Sequence, residues 1–299
     1  MKAFVVFNPA ANHGRLRQEW PAITAALKTV FPKLIAIPSG GRGQTARLVR
    51  DALREEYMEI VVVGGDGTIN EAVNGFFDHG APVFPDAVLS VVPAGGGDIG
   101  RGAAGGVAAA LGLAQARVRP VDLGHVACLT PEGGAAARFF LGAASLGLTG
   151  DIARRLNRSR FMARRGVQEH LALAAWRACR VRLMADGGHD EIDGISAVAV
   201  MNGAFFGGGL KAAPGAAPAD GVFDIAVLPG GPRRRIRHMF QDMRRSQAVA
   251  DMRRLRAAHL TAAPTLDTGR RVWVETDGEA VGVLPASFEM APRALRLRL

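Results

Sequence analysis

The sequence predicts two domains of different class. An α/β domain, an open parallel sheet wrapped by helices, is expected over residues 1–125, and a mostly antiparallel β-sandwich over residues 126–299, whose last residues can return to the first domain. Three observations predict it. Val- and Ile-rich runs alternate with segments of helical spacing as far as Val121-Asp122-Leu123-Gly124. Beyond that point strand-like stretches follow one another without regular intervening helices. At 299 residues, 48% of them hydrophobic, the chain is long enough to bury a core in each half.

The first half supports this element by element. Residues 3–7, 33–37, 59–63 and 87–92 are short apolar runs of the kind that form strands covered on both faces. Between them, Leu16 to Phe31 and Thr45 to Tyr57 carry apolar residues at helical spacing. Such alternation builds a parallel sheet, and ligands of these sheets collect at the carboxyl ends of the strands. Those ends carry Asn8-Pro9, Pro38-Ser39-Gly40-Gly41, Gly64-Gly65-Asp66-Gly67-Thr68 and Pro93-Ala94-Gly95-Gly96-Gly97-Asp98, so four turns are expected to converge. In the second half Arg138 to Leu146, Ser196 to Met201, Val222 to Leu228, Val272 to Thr276 and Ala286 to Met290 read as strands.

The third turn carries the most chemistry. Its glycines fall where a buried strand passes into the helix that begins near Ile69-Asn70-Glu71, so the backbone can turn sharply and approach a ligand with no Cβ in the way. The helix that follows offers unpaired N–H groups and a positive dipole end, which suits phosphate. Asp66 would repel phosphate directly and is better suited to a metal ion that bridges phosphates. The same spacing also suits a glycine-rich turn with no ligand.

A formal charge of +10, carried mainly by arginine, predicts attraction to an acidic partner: a nucleotide, a nucleic acid or an anionic membrane. The two cysteines, Cys128 and Cys179, fit no metal cluster and suggest a reducing, cytoplasmic setting. No apolar run approaches the roughly 18 residues of a membrane span, so membrane contact is expected to be peripheral. Two basic segments, Arg154 to Arg182 and Arg233 to Arg256, interrupt the second half. In the latter, Ile236, Met239, Phe240 and Met243 fall at i, i+3, i+4 and i+7, giving a helix with one apolar face and arginines on the others. That face suits core packing, and the arginines suit lipid headgroups. Arginine clusters with a single tyrosine and no recognised motif argue against nucleic acid as the partner. A homodimer is compatible with the sequence.

Taken in order, Asn8-Pro9 with Gly14, Thr45, the Gly64–Thr68 run with Ile69-Asn70-Glu71, Asn202-Gly203 through Gly207-Gly208-Gly209, Pro214, Asp220-Gly221 and Asp277-Gly278-Glu279 form a pattern. It resembles that of the diacylglycerol kinase-like lipid kinases, which include bacterial diacylglycerol kinases and sphingosine kinases. The likeness covers almost the whole chain. NAD kinases use a similar glycine-rich run, but the later blocks favour lipid kinases. The resemblance implies a Rossmann-like nucleotide domain and a β-rich lipid-substrate domain, with the active site between them and ATP as phosphoryl donor. It implies that Asn8, Pro9, Gly14, Thr45, Gly64, Gly65, Asp66, Gly67, Thr68, Ile69, Asn70, Gly95, Gly96 and Asp98 bind the nucleotide. Asp66 joins the Mg-ATP network, with Asp98 and Asp122 as further acids. Asp220, with backbone oxygens of Ala217 and Val222, matches a structural magnesium site. Glu279 matches the proton acceptor.

Phosphoryl transfer asks mainly for positioning and charge neutralisation, so a metal and one carboxylate suffice. A partly desolvated Glu279 would have its pKa raised toward the range useful for accepting a hydroxyl proton. Asp277-Gly278-Glu279 is equally hairpin-turn chemistry between Val272 to Thr276 and Ala280 to Leu284, and Asp220-Gly221 is equally a turn. The fourth turn departs from the family's Pro-Leu-Gly-Thr-Gly-Asn-Asp-Phe-Ala-Arg: it reads Pro93-Ala94-Gly95-Gly96-Gly97-Asp98-Ile99-Gly100-Arg101, shorter by one and without the threonine and asparagine. A hydroxyl contact is lost, while three successive glycine amides can still form an anion nest. The first turn is longer than usual, and Ala219 precedes Asp220 where relatives often carry Asp or Asn. The leading expectation is an ATP- and Mg-dependent lipid kinase acting on a diacylglycerol-like lipid at the cytoplasmic face of an anionic membrane. The alternatives are an NAD kinase-like enzyme and a catalytically weak, nucleotide-responsive membrane-binding protein.

Overall fold

The computed structural model describes residues 2–99, 104–158, 178–265 and 271–299. The chain forms two compact units, Met1–Leu123 with Pro292–Leu299, and Gly124–Ala291.

In the first unit β1 (Lys2–Phe7), β2 (Lys33–Pro38), β3 (Glu59–Gly64) and, after the short pair β4 (Phe77–Asp78) and β5 (Ala81–Pro82), β6 (Val88–Pro93) supply the strands. The sheet runs β2-β1-β3-β6, all parallel, and Arg296–Arg298 adds alongside Val88–Ser90, also parallel. Helices α1 (Arg15–Val30), α2 (Gln44–Arg54), α3 (Asp66–Gly75) and α4 (Gly106–Gly112) cover it. Every residue of β3 is buried, the reason its sequence reads as a continuous apolar run. Val61 and Val63 turn one face of β3 toward a core shared with Leu16, Ile23 and Leu27 of α1. The helices α2 and α3 meet at Gly75, where a Cβ would stand 2.7 Å from the Ala46 carbonyl oxygen and from Val49 Cβ.

The helix expected from Thr45 to Tyr57 stops earlier, at Arg54. Glu56 takes a left-handed φ of 60°, and the Tyr57 N–H returns to the Ala52 carbonyl at 3.0 Å, a helix-ending turn made here without glycine. Tyr57 then leaves the helix to pack edge-on against Phe4, with ring centroids 5.4 Å apart.

The second unit is reached along β7 (Val118–Leu129) and contains β8 (Ala135–Phe140), β9 (Ala143–Gly147), α5 (Leu148–Arg158), β10 (Cys179–Ala185) and β11 (Gly188–Met201). There follow β12 (Phe205–Phe206), β13 (Leu210–Lys211), β14 (Phe223–Pro229), α6 (Arg233–Arg244), β15 (Arg253–Ala257), β16 (His259–Pro264), β17 (Trp273–Thr276) and β18 (Glu279–Arg298), whose last part belongs to the first unit. The pairings are antiparallel and close in a ring, β11 to β10, β16, β18, β17, β9 and back to β11. Alternation along the strands divides two cores. Val198, Val200, Ile225 and Val227 face a cluster holding Phe140, Phe223 and Phe288, while Ala197, Ala199, Ala226 and Leu228 face Leu148 and Ile152 of α5 and Ile236, Met239, Phe240 and Met243 of α6. Each class expected from the sequence, parallel α/β followed by antiparallel β, is observed.

Two expectations need correction. The single strand read from Arg138 to Leu146 is broken at Leu141-Gly142 into β8 and β9, because the amides of this segment are diverted to the Asp277 carboxylate. The basic segment Arg233 to Arg256 is not all helix: α6 ends at Arg244, and Arg253 to Arg256 lie in β15, which among the described residues is an edge strand paired with β14. Of the segment Arg154 to Arg182, residues 159–177 lie outside the described residues.

Candidate active site

The four turns of the first unit are tied together by named bonds. Asn8, at the end of β1, donates from Nδ2 to Thr68 Oγ1 at 3.1 Å and accepts the Ala10 N–H on Oδ1 at 3.0 Å, so one side chain shapes its own turn and holds the third. Ser39, after β2, donates its N–H to the Phe7 carbonyl at 2.8 Å. Asp66 reaches the fourth turn: Oδ2 accepts the Asp98 N–H at 2.7 Å and Oδ1 accepts the Ile99 N–H at 3.1 Å. A Cβ on Gly97 would stand 2.3 Å from Asp66 Oδ1, so the fourth turn can close over that carboxylate only with glycine there. Above it Gly95 and Gly96 are exposed, and a Cβ on Gly96 would meet no atom within 4 Å.

Glu71 closes the arrangement. From α3 its two carboxylate oxygens accept the Gly43 N–H at 2.8 Å and the Thr45 N–H at 3.2 Å, occupying the positive end of α2. The sequence reading quoted Glu71 without a role. The signal was available, since the start of α2 offers neither Ser, Thr, Asp nor Asn as its cap and must take an acceptor from elsewhere.

The structure therefore gathers Asn8, Thr68, Gly64 to Gly67, Gly95, Gly96 and Asp98 at the carboxyl edge of the sheet, with Pro9 and Gly14 in the first turn. It places four others differently. Ile69 and Asn70 are 1% and 0% exposed, their side chains inside the unit, and the Ile69 N–H is already bonded to the Gly65 carbonyl at 3.0 Å. Thr45 is 2% exposed, held through its amide by Glu71. Asp122, 1% exposed, accepts the Arg293 N–H on Oδ1 at 2.7 Å and so pins the returning C-terminal segment.

In the second unit Asp277 and Gly278 have φ of 46° and 86°, the two left-handed residues of a tight hairpin between β17 and β18, so the turn reading of this block holds. The turn is also gripped from outside. Asp277 accepts the N–H groups of Leu141, Gly142 and Ala143 at 3.0, 2.9 and 3.0 Å. Glu275, 3% exposed, accepts the Gly278 N–H at 2.8 Å and a bond from Ser145 Oγ. Asn157 of α5 accepts the Ala280 N–H at 2.8 Å and donates to the Gly278 carbonyl at 3.4 Å. Glu279 thus has the residues on both sides of it fixed. Asn202 donates to the Leu141 carbonyl at 2.8 Å, and the Asn202 and Gly203 amides donate to the Gly142 carbonyl at 2.9 and 2.7 Å. Two separate sequence blocks therefore clasp the same residues, Leu141 and Gly142, from opposite sides of the peptide.

Beside this turn lies an open pocket of ≈ 500 Å³ counted to its mouth. Ile152, Ala153 and Leu156 of α5, with Leu210 and Phe240, make its apolar wall, and Thr149, Glu275 and Gly278 also line it. The residues Asn157, Glu275 and Leu141 to Ala143 escaped the sequence reading. Asn157 and Glu275 carry no motif of their own, and their partners lie up to 130 positions away.

The donors expected for a structural magnesium do not fit that role. Asp220 accepts the Val222 N–H on Oδ1 at 3.3 Å and is bonded by Arg256 Nη2 on Oδ2, while the Ala217 carbonyl accepts the Ala219 N–H at 2.8 Å. A hard cation needs several oxygen donors, and both Asp220 oxygens and the Ala217 carbonyl already answer donors of the chain itself. Asp122 belongs to the other unit. Among the described residues no three or more His, Cys, Asp or Glu side chains are grouped to hold a metal ion.

Residues 2–126 match the family model described as the diacylglycerol kinase catalytic domain, and residues 142–299 match the YegS C-terminal NAD kinase beta sandwich-like domain. A diacylglycerol kinase of Mycobacterium tuberculosis is 24% identical over 306 residues, covering 99% of this chain and 94% of that protein. The crystal structure of a diacylglycerol kinase from Bacillus anthracis superposes with a TM-score of 0.72 at 21% identity, over 99% of this chain and 96% of the other. Yeast NADH kinase shares the fold more distantly, with a TM-score of 0.55 at 11% identity over 100% of this chain and 82% of its own.

Proposed function

The chain belongs to the diacylglycerol kinase-like family of lipid kinases, and on that premise we propose that it transfers the γ-phosphate of Mg-ATP to a hydroxyl of a diacylglycerol-like lipid at the cytoplasmic face of an anionic membrane. The nucleotide phosphates rest on the turns after β1, β3 and β6, where exposed glycine backbone and the start of α3 favour anions. The acceptor's chain enters the apolar pocket of the second unit. As the lipid oxygen bonds to the γ-phosphorus and the bond to the ADP oxygen breaks, the hydroxyl proton passes to the Glu279 carboxylate. Magnesium bound to ATP would offset the phosphate charge. The observation that carries this reading is the setting of Glu279: its turn is fixed by Asp277, Glu275 and Asn157, and an apolar pocket reaches the adjacent Gly278.

The membrane part rests on α6. Its apolar face packs into the core and contributes Phe240 to the pocket, while Arg233, Arg234, Arg237 and Arg244 are exposed on the remainder. Each arginine near an anionic surface contributes about 1 kcal/mol, so four would hold the pocket at its lipid supply. No helix among the described residues is long and apolar enough to cross a membrane.

The test is phosphorylation of a panel of diacylglycerols, monoacylglycerols, sphingoid bases and NAD, read by product mass. A phosphorylated diacylglycerol-like product is expected. Phosphorylated NAD without lipid would replace this reading with the NAD kinase one, and ATP-sensitive vesicle binding without any product would replace it with a non-catalytic one. Flotation with phosphatidylglycerol vesicles tests the membrane part: binding should weaken when Arg233, Arg234 and Arg237 become Gln, and tighter binding to DNA than to vesicles would overturn it.

A further inference from the structure

We propose that Arg256 supplies, from within the chain, the positive charge that the family resemblance assigns to a structural magnesium at Asp220, so that this protein folds independently of that metal. The argument starts from register. In the antiparallel pair β14–β15, Arg256 stands directly opposite Asp224, and Asp220 lies in the turn that leads into β14. One guanidinium therefore faces two carboxylates: Nη2 bonds Asp220 Oδ2, and Nε lies 3.6 Å from Asp224 Oδ1. Gly221, with φ of 78°, and the Val222 N–H on Asp220 Oδ1 at 3.3 Å bend the turn so that its carboxylate meets the strand partner.

Chemically, this arrangement offers what a cation would. Two acids four residues apart on one short stretch repel each other, and either a metal or a fixed cation relieves it. Guanidinium stays protonated at any working pH and presents its donors in a planar fork suited to more than one carboxylate oxygen. Of the two backbone oxygens in the expected set, that of Ala217 already accepts the Ala219 N–H. Because the strand register fixes Arg256 in place, the charge is built in as the sheet forms and does not depend on the ionic content of the medium.

The experiment needs neither nucleotide nor lipid, so its outcome is separable from that of the kinase reading. Wild type is purified through a chelator and melted in EDTA, in MgCl2 and in CaCl2, with metal content measured after gel filtration. The expected result is one melting temperature in all three media and substoichiometric metal. Arg256→Gln should melt about 2–4 °C lower in EDTA, and added Mg²⁺ or Ca²⁺ should recover part of the loss by taking the vacated carboxylates. Two results would overturn the proposal: wild type holding one metal ion per chain that Asp220→Asn removes, or Arg256→Gln melting in EDTA at the wild-type temperature. Should Arg256→Gln fail to fold, the metal content and chelator response of wild type and Asp220→Asn decide the matter alone.

Discussion

Asp66 in the first unit and Asp277 in the second sit in glycine-containing turns and use their carboxylates alike, as acceptors for the backbone of another turn. Among the described residues Asp66 takes the amides of Asp98 and Ile99, from the next turn of a parallel sheet. Asp277 takes three, from Leu141 to Ala143, across a separation of 134 to 136 positions. In both places the acid organises main chain of a second segment around its own turn. The difference teaches where rigidity comes from. The first unit obtains it from topology, because consecutive parallel strands deliver their turns to one edge whatever their side chains. The second obtains it from long-range side-chain bonds, and loses more when one is removed.

The largest effect should come from the one acid whose proposed role is chemical. Glu279→Gln is expected to lower kcat by about 10²–10⁴-fold with the melting temperature unchanged, checked by turnover and calorimetry on the same sample. A fall in stability of the same variant would assign Glu279 to the scaffold, with Asp277.

Next is a first-unit carboxylate that takes no amide from another turn. Glu59, 3% exposed, accepts Ser90 Oγ and meets Arg298 at 3.2 Å. Burial raises its pKa above the ordinary 4.5, opposed by the Ser90 hydrogen bond and the Arg298 charge. The fold therefore prefers its neutral form, so its contribution is fully present in acid and is lost as pH climbs through the folded value. Arg298→Met, which strands the carboxylate, should cost about 3–5 kcal/mol near pH 8 and clearly less near pH 5. A penalty independent of pH, measured by urea unfolding, would mean that Arg298 acts through packing alone.

The comparison itself is sharpened by matched alanines. Among the described residues Asp277→Ala leaves the partly buried amides of Leu141, Gly142 and Ala143 without their acceptor and Asp66→Ala those of Asp98 and Ile99, at about 1–3 kcal/mol for each that stays unsatisfied. Asp277→Ala should therefore melt lower than Asp66→Ala, and the reverse order would remove the distinction between the units. The smallest effect is expected from Asn157→Ala, which frees one side of the Glu279 turn: kcat should drop about tenfold, as expected for a small misplacement of a reacting group, with KM for ATP and the melting temperature little changed. Equal losses in KM and stability would make Asn157 a structural residue only.

How much could be read beforehand follows the same division. The parallel strands and the turn Gly64 to Thr68 were legible, because each is encoded by a few adjacent residues with a fixed period. Ile69 and Asn70 belong to that turn's motif but face inward, since a helix that starts at Asp66 carries them toward the core within one turn. The Asp277–Glu279 turn was legible as a hairpin from its own residues. Its clasp by Asn157 and Glu275 was not, because single polar residues whose partners lie 123 and 130 positions away leave no periodicity. Arg256 was hidden for another reason: its neighbours Arg253 and Arg254 made the segment look like the continuation of a basic helix, whereas strand register with Asp224 decides its partner.

The central claim, that the turns ending β1, β3 and β6 hold an adenine nucleotide, is tested most directly by titrating a non-hydrolysable ATP analogue with magnesium into the protein in a calorimeter. One site per chain is predicted, abolished or much weakened in Gly97→Ala, whose new Cβ would push the fourth turn off Asp66. An absence of any binding heat at several temperatures, or equal affinity in wild type and Gly97→Ala, would contradict it.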